Sequence, residues 1–222
     1  MKKVILSLGL LVGMAGVANA QTGLKLGLKG GFNGSTFSGS DSKGSEYKAG
    51  FAAGGLLNYG FADMLSIQAE LLYSQKGASQ DDVPANGNTT KTTLGYLDVP
   101  ILFKVNTGED GKGFFFELGP QGSFVLHQRS FIEDNAGKQI GSSETSTDRL
   151  NKVVIGYAAG LGYQITSGLG VGLRYTGDFS QVYKDGGSST TSTVGGVAVT
   201  TTNPNIHNSV FQFQVHYLFG GK

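Results

Sequence analysis

Along eight stretches of this chain apolar residues alternate singly with polar or small ones, a period that suits a two-faced strand and not a helix. The first, 21–33, sets Leu24, Leu26, Leu28 and Phe32 against Lys25, Gly27, Lys29 and Gly31. The second, 48–59, opposes Phe51, Ala53, Leu57 and Tyr59 to Lys48, Gly50, Gly54 and Asn58, and the third, 65–73, opposes Leu65, Ile67, Leu71 and Tyr73 to Ser66, Gln68 and Glu70. The fourth, 96–104, turns Leu97, Val99, Ile101 and Phe103 one way and Tyr96, Asp98, Pro100 and Lys104 the other. In the fifth, 114–126, Phe114, Phe116, Leu118 and Phe124 oppose Phe115, Glu117, Gln121 and Ser123; in the sixth, 155–165, Ile155, Tyr157, Leu161 and Tyr163 oppose glycines and Gln164. The seventh, 169–179, puts Leu169, Val171, Leu173 and Tyr175 against Arg174, Thr176 and Asp178; the eighth, 209–219, puts Phe211, Phe213, Val215 and Tyr217 against Gln212, Gln214 and His216.

The connections alternate too. Those at 60–64, 106–113 and 166–168 are short, whereas 34–47, 74–92, 127–152 and 180–208 are long and rich in Ser, Thr, Gly and Asn. An even number of strands with short turns at one end and long polar loops at the other is the pattern of a transmembrane barrel. Lys2 and Lys3, an apolar run over 4–17 and Ala18-Asn19-Ala20 predict an export signal peptide at 1–20, cleaved after Ala20. The rest, 21–222, is expected to be one domain. Beyond residue 20 the charge is 15 basic minus 16 acidic residues, or −1, which gives no footprint for nucleic acid. With no cysteine, no disulfide framework is available, so stability must come from the sheet.

Period two does not say which face is inside, and a soluble, lipocalin-like ligand-binding barrel would place the apolar face inward. Two features favour apolar residues outside. The polar face is mostly glycine, glutamine and scattered charge, suited to a narrow polar interior, and aromatics stand near many strand ends (Tyr59, Tyr73, Phe103, Phe114, Tyr163, Phe179, Phe219), as at membrane interfaces. The expectation is an all-β fold, an eight-stranded antiparallel up-and-down transmembrane β-barrel. It must close, because an open edge would leave backbone groups unsatisfied in hydrocarbon. The short turns are then periplasmic and the long loops extracellular.

The stretches "AELLYSQKG" (69–77), "YLDVPILFK" (96–104), "FELGPQGSF" (116–124), "IGYAAGLGYQI" (155–165) and "LRYTGDFSQV" (173–182) resemble the outer-membrane β-barrel domain family of PorT-like type, common in Bacteroidetes. The resemblance runs over essentially all of 21–222 and implies location in the cell outer membrane. It implies little about activity.

An inward polar face collects Lys25, Lys29, Lys48, Lys104 and Arg174 with Glu70, Asp98, Glu117 and Asp178. Eight strands leave an interior just wide enough for side chains. Lone buried charges are costly, so five cations and four anions are expected to form a structural network plugging the lumen, in preference to a proton or substrate site. A narrow porin-like solute channel is the competing reading. His207 and Ser209, two apart, are similar to the His-x-Ser arrangement of a lipid A deacylase barrel, the basis for a lipid-modifying enzyme; the flanking residues differ and no acidic partner accompanies them. His127 and His216 are scattered. No catalytic residue, metal site or cofactor is expected.

The expected partners are outer-membrane lipids around a monomer, with extracellular or envelope proteins met through the long loops. Asn86-Gly87, Asn135 to Gly137 and Gly195-Gly196, each flanked by strand-prone residues, predict hairpins that continue barrel strands outward and offer edges for strand addition. Pro100, lacking an N–H, predicts a bulge or a local break in pairing on the luminal side.

Overall fold

Each barrel strand has one face for lipid and one for the lumen, and that difference is satisfied only when the sheet meets itself. The computed structural model describes residues 23–81, 89–108, 112–134, 136–194 and 197–219. The expected signal peptide and Asn86, Gly87, Asn135, Gly195 and Gly196 at the hairpin tips lie outside the described residues. Twelve strands are described: β1 (Leu24–Ser38), β2 (Ser45–Glu46), β3 (Lys48–Ala62), β4 (Leu65–Asp81), β5 (Thr89–Asn106), β6 (Gly113–Glu133), β7 (Gln139–Thr145), β8 (Val153–Gln164), β9 (Leu169–Asp178), β10 (Ser189–Val194), β11 (Val197–Thr202) and β12 (His207–Leu218). Eight of them, β1, β3, β4, β5, β6, β8, β9 and β12, form an antiparallel ring in chain order. The first and last pair directly, from Gly27↔Leu218 to Ser38↔His207, and close it.

Burial settles the direction of the faces. Leu28, Phe32, Leu71, Ile101, Phe116, Leu161 and Phe213 are exposed, whereas Lys29, Gln68, Glu70, Asp98, Glu117, Arg174, Gln212 and Gln214 are buried. A soluble barrel would invert this arrangement, so the lipocalin-like alternative fails. The exposed aromatics form two belts. Near the short turns Phe61 meets Phe103 (6.1 Å), Phe114 meets Tyr163 (5.1 Å) and Tyr217 meets Phe219 (5.4 Å). Towards the long loops Phe51 meets Tyr73 (5.7 Å), Tyr157 meets Phe179 (5.1 Å) and Tyr175 meets Phe211 (5.0 Å). Amphipathic rings at two levels mark the two membrane–water interfaces.

The long connections hold more strand than the alternation shows. β4 and β5 stay paired out to Asp81↔Thr89, and β6 continues to Glu133 and pairs with β7. The third expected continuation takes another form. β10 and β11 make their own two-stranded sheet, registered Ser189↔Thr202 to Val194↔Val197, off the barrel. The cause lies in the connecting segments, where Leu150 bridges to Tyr183 and Val182 N–H donates to Ile206 C=O (2.8 Å), drawing those apolar residues into the barrel mouth.

At Pro100 the β4–β5 pairing passes from Leu72↔Asp98 to Ala69↔Ile101 with no partners between, and the β5–β6 pairing from Pro100↔Gln121 to Phe103↔Leu118. Register is unchanged across both gaps, so this is a local break and not a bulge. Pro120, opposite the second gap, also lacks a donor. The bulge of this pair lies higher, where Gly95↔His127 is followed by Tyr96↔Val125 and Leu126 is left unpaired.

The inversion of faces gives a direct test. Leu173 is 58% exposed near the middle of β9, so Leu173→Arg is expected to lower folding stability in phospholipid bilayers by about 2–4 kcal/mol, measured by denaturant titration.

Candidate functional site

The lumen is stacked in layers, and the middle one is ionic. Arg174 of β9 reaches across the barrel and forks onto Glu70 of β4, Nη1 donating to Oε2 (2.7 Å) and Nη2 to Oε1 (2.8 Å). On its other side Nε donates to Oε1 of Glu117 on β6 (2.8 Å), with Nη2 at 2.6 Å. Lys29 of β1 adds its ammonium to Glu70 (2.5 Å), while Gln68 and Gln214 donate to Glu70 (2.6 Å) and Glu117 (2.8 Å). Two cations and two anions therefore neutralise one another, with amides filling the remaining acceptor positions. This is the condition under which buried charge is tolerated. Space for it comes from the neighbouring strand β8: a Cβ on Gly160, paired with Glu117, would stand 2.8 Å from its Oε1, and one on Gly162, paired with Phe115, would stand 2.4 Å from that ring.

Towards the long loops a second layer pairs Lys76 with Asp98 (2.9 Å), the ammonium also donating to Ser123 (3.1 Å) and lying over the Tyr96 ring. Asn208 joins Tyr96 to Asp178, donating to its carboxylate at 2.6 Å. Above this the mouth is filled by an apolar cluster of Leu94, Tyr96, Leu150, Val154, Val182 and Ile206. Sequence reasoning missed this cork, because its members Leu150, Val182 and Ile206 are isolated apolar residues in long polar segments. Lys76 was missed too, since alternation fades above Tyr73; its position two and four residues beyond Ser74 and Leu72 on the same face was the available signal.

Towards the short turns Lys104 lies over the Phe115 ring (4.0 Å) and donates to Gln164 (3.4 Å), which also accepts from Nε2 of His216 (2.9 Å). Of the nine residues expected in one network, the structure brings together Lys29, Glu70, Glu117 and Arg174. Asp98 is matched by Lys76, Asp178 by Asn208. Lys25 stands at the short-turn mouth, and Lys48 lies apart at the long-loop end, donating to Ala49 C=O (3.2 Å) and lining an outer hollow with Lys91 and Phe131.

The His-x-Ser pair does not act as a pair. His207 Nδ1 donates to Ser180 C=O (3.1 Å), and Ser209 shares its hydrogen bond with the Tyr175 hydroxyl (3.0 Å). His127 bonds Tyr73 on the outside of the barrel (3.0 Å), far from His216 in the lumen. Among the described residues no cluster of three His, Asp or Glu is placed to hold a metal.

Comparison with known proteins agrees with the architecture. The family model described as "Outer membrane protein beta-barrel domain" matches residues 19–184. No curated protein matches the chain. Among solved structures the chain is similar to Neisserial surface protein A (15% identity, 86% of this chain and 96% of that one, TM-score 0.48). It is also similar to Ail, the attachment invasion locus protein of Yersinia pestis (11%, 90% and 100%, 0.46), and to OprG from Pseudomonas aeruginosa (12%, 90% and 98%, 0.42). Similarity at this level assigns no ligand or residue role to this chain.

The ionic layer predicts a characteristic mutational pattern. Arg174→Met leaves the buried Glu117 carboxylate with no cation in contact and is expected to cost about 3–5 kcal/mol in bilayer unfolding titrations, whereas adding Glu117→Gln to it, which leaves Lys29 paired with Glu70, is expected to recover much of that loss.

Proposed function

The chain belongs to the outer membrane protein β-barrel domain family, and on that basis we propose that it is a non-enzymatic, side-chain-filled barrel that serves the cell surface as a structural and interaction protein. The observation that carries this reading is the filled lumen. Ionic layers at Arg174 and Lys76 and the apolar cork at Leu94 and Leu150 occupy successive levels, leaving the long-loop surface as the part able to meet a partner.

In this reading the chain is of the PorT-like type, exported by a cleaved signal peptide at 1–20, and monomeric, with its short turns in the periplasm and its long loops outside. The β10–β11 hairpin is the candidate contact. Its sheet stands off the barrel, and no charged residue occurs between Asp185 and His207. Natural edge strands are normally protected by charges, prolines or bulges. Neutral, Thr- and Val-rich edges of this kind are suited to adding a strand from an extended partner segment.

Deleting 186–202 tests the proposal in cells that display the full chain. Binding to extracellular or neighbouring envelope protein is expected to fall at least roughly tenfold, the loss of one main contact, with insertion and heat-resistant folding unchanged. Undiminished binding by the deleted form would overturn it.

A further inference from the structure

Below the ionic layers the barrel opens into a cavity of about 580 Å³ at the short-turn mouth, lined by Lys25, Asn58, Ser66, Lys104 and Gln164, with Asp63 at the rim. Lys104 lies at its inner end. The residue is only 2% exposed, yet unlike Lys29 and Lys76 it has no carboxylate in ion-pair contact among the described residues. Its close contacts are the Phe115 face and one long hydrogen bond to Gln164, while Glu117, opposite it on β6, is engaged by Arg174. Lys25, on the cavity wall, likewise has no ion-pair partner among the described residues. An ammonium held out of water with no carboxylate in direct contact is costly, and a cation–π contact offsets only part of that cost.

We propose that this cavity binds a small oxyanion, a solute carrying a carboxylate or phosphate group that reaches Lys104 at the inner end and is met by Lys25 on the wall. The volume far exceeds the roughly 30 Å³ share of a single water, so a group larger than a halide fits with hydration to spare. Asn58 and Ser66, hydrogen-bonded to each other at 3.0 Å on the same wall, add polar groups beside the two cations. Charge-assisted bonds from two ammonium groups favour an oxyanion with several acceptor atoms. The side of the membrane from which the solute enters rests on the orientation proposed above; its binding to purified protein does not, so the two can fail separately.

The test uses the full barrel in phospholipid nanodiscs with 13C-labelled lysine, titrated with inorganic phosphate against chloride at equal ionic strength. Saturable shifts are expected at the Lys104 and Lys25 side chains, and none at Lys29 or Lys76, which already face carboxylates. Lys104→Met is expected to abolish saturation at Lys25. Lys25→Gln, at a half-buried site with no partner to lose, is expected to weaken half-saturation roughly tenfold while leaving the barrel folded. Shifts that stay linear in phosphate, shifts equal for phosphate and chloride, or unchanged saturation in Lys25→Gln would each overturn the assignment.

Discussion

The Arg174 guanidinium, held between Glu70 and Glu117, joins three strands that are not neighbours in the sheet. β9, β4 and β6 lie around the ring with other strands between them, and one side chain spans the lumen to connect them. Backbone closure is compulsory in hydrocarbon, but it does not fill the interior. The ionic layer does so at the level where no water can enter to solvate a lone charge. Much of the surrounding sequence follows from it: Lys29 to balance the second carboxylate, Gln68 and Gln214 to occupy remaining acceptors, and Gly160 to leave room for the Glu117 carboxylate.

The wall strands were legible because lipid and lumen demand opposite chemistry at every second residue. Leu97, Val99, Ile101 and Phe103 against Asp98 and Lys104 could be assigned to faces from the sequence, and so could the consequence of Pro100. Which charge meets which could not. Asp98 answers Lys76 from β4, and Glu70 answers Lys29 and Arg174. Those partners are set by the stagger of the closed sheet, which no local pattern encodes.

Above the membrane the signal fades for a physical reason. Beyond Tyr73 on β4 and Leu126 on β6 the outer face no longer meets lipid, so the alternation that marked the strands disappears although the pairing continues. The unpaired Leu126 is equally silent, since it puts two outward residues, Leu126 and His127, in succession where a strand end would look the same. The cork was hidden because single apolar residues in long polar loops are common and carry no period. Only their convergence in the mouth gives Leu150, Val182 and Ile206 a shared role.

An occupied lumen separates a surface-interaction protein from a pore, and ion conduction reports on it directly. Purified, folded protein in planar phospholipid bilayers is expected to give no large, steady conductance across the physiological voltage range. A stable, ohmic open level carried by the folded barrel would contradict the account.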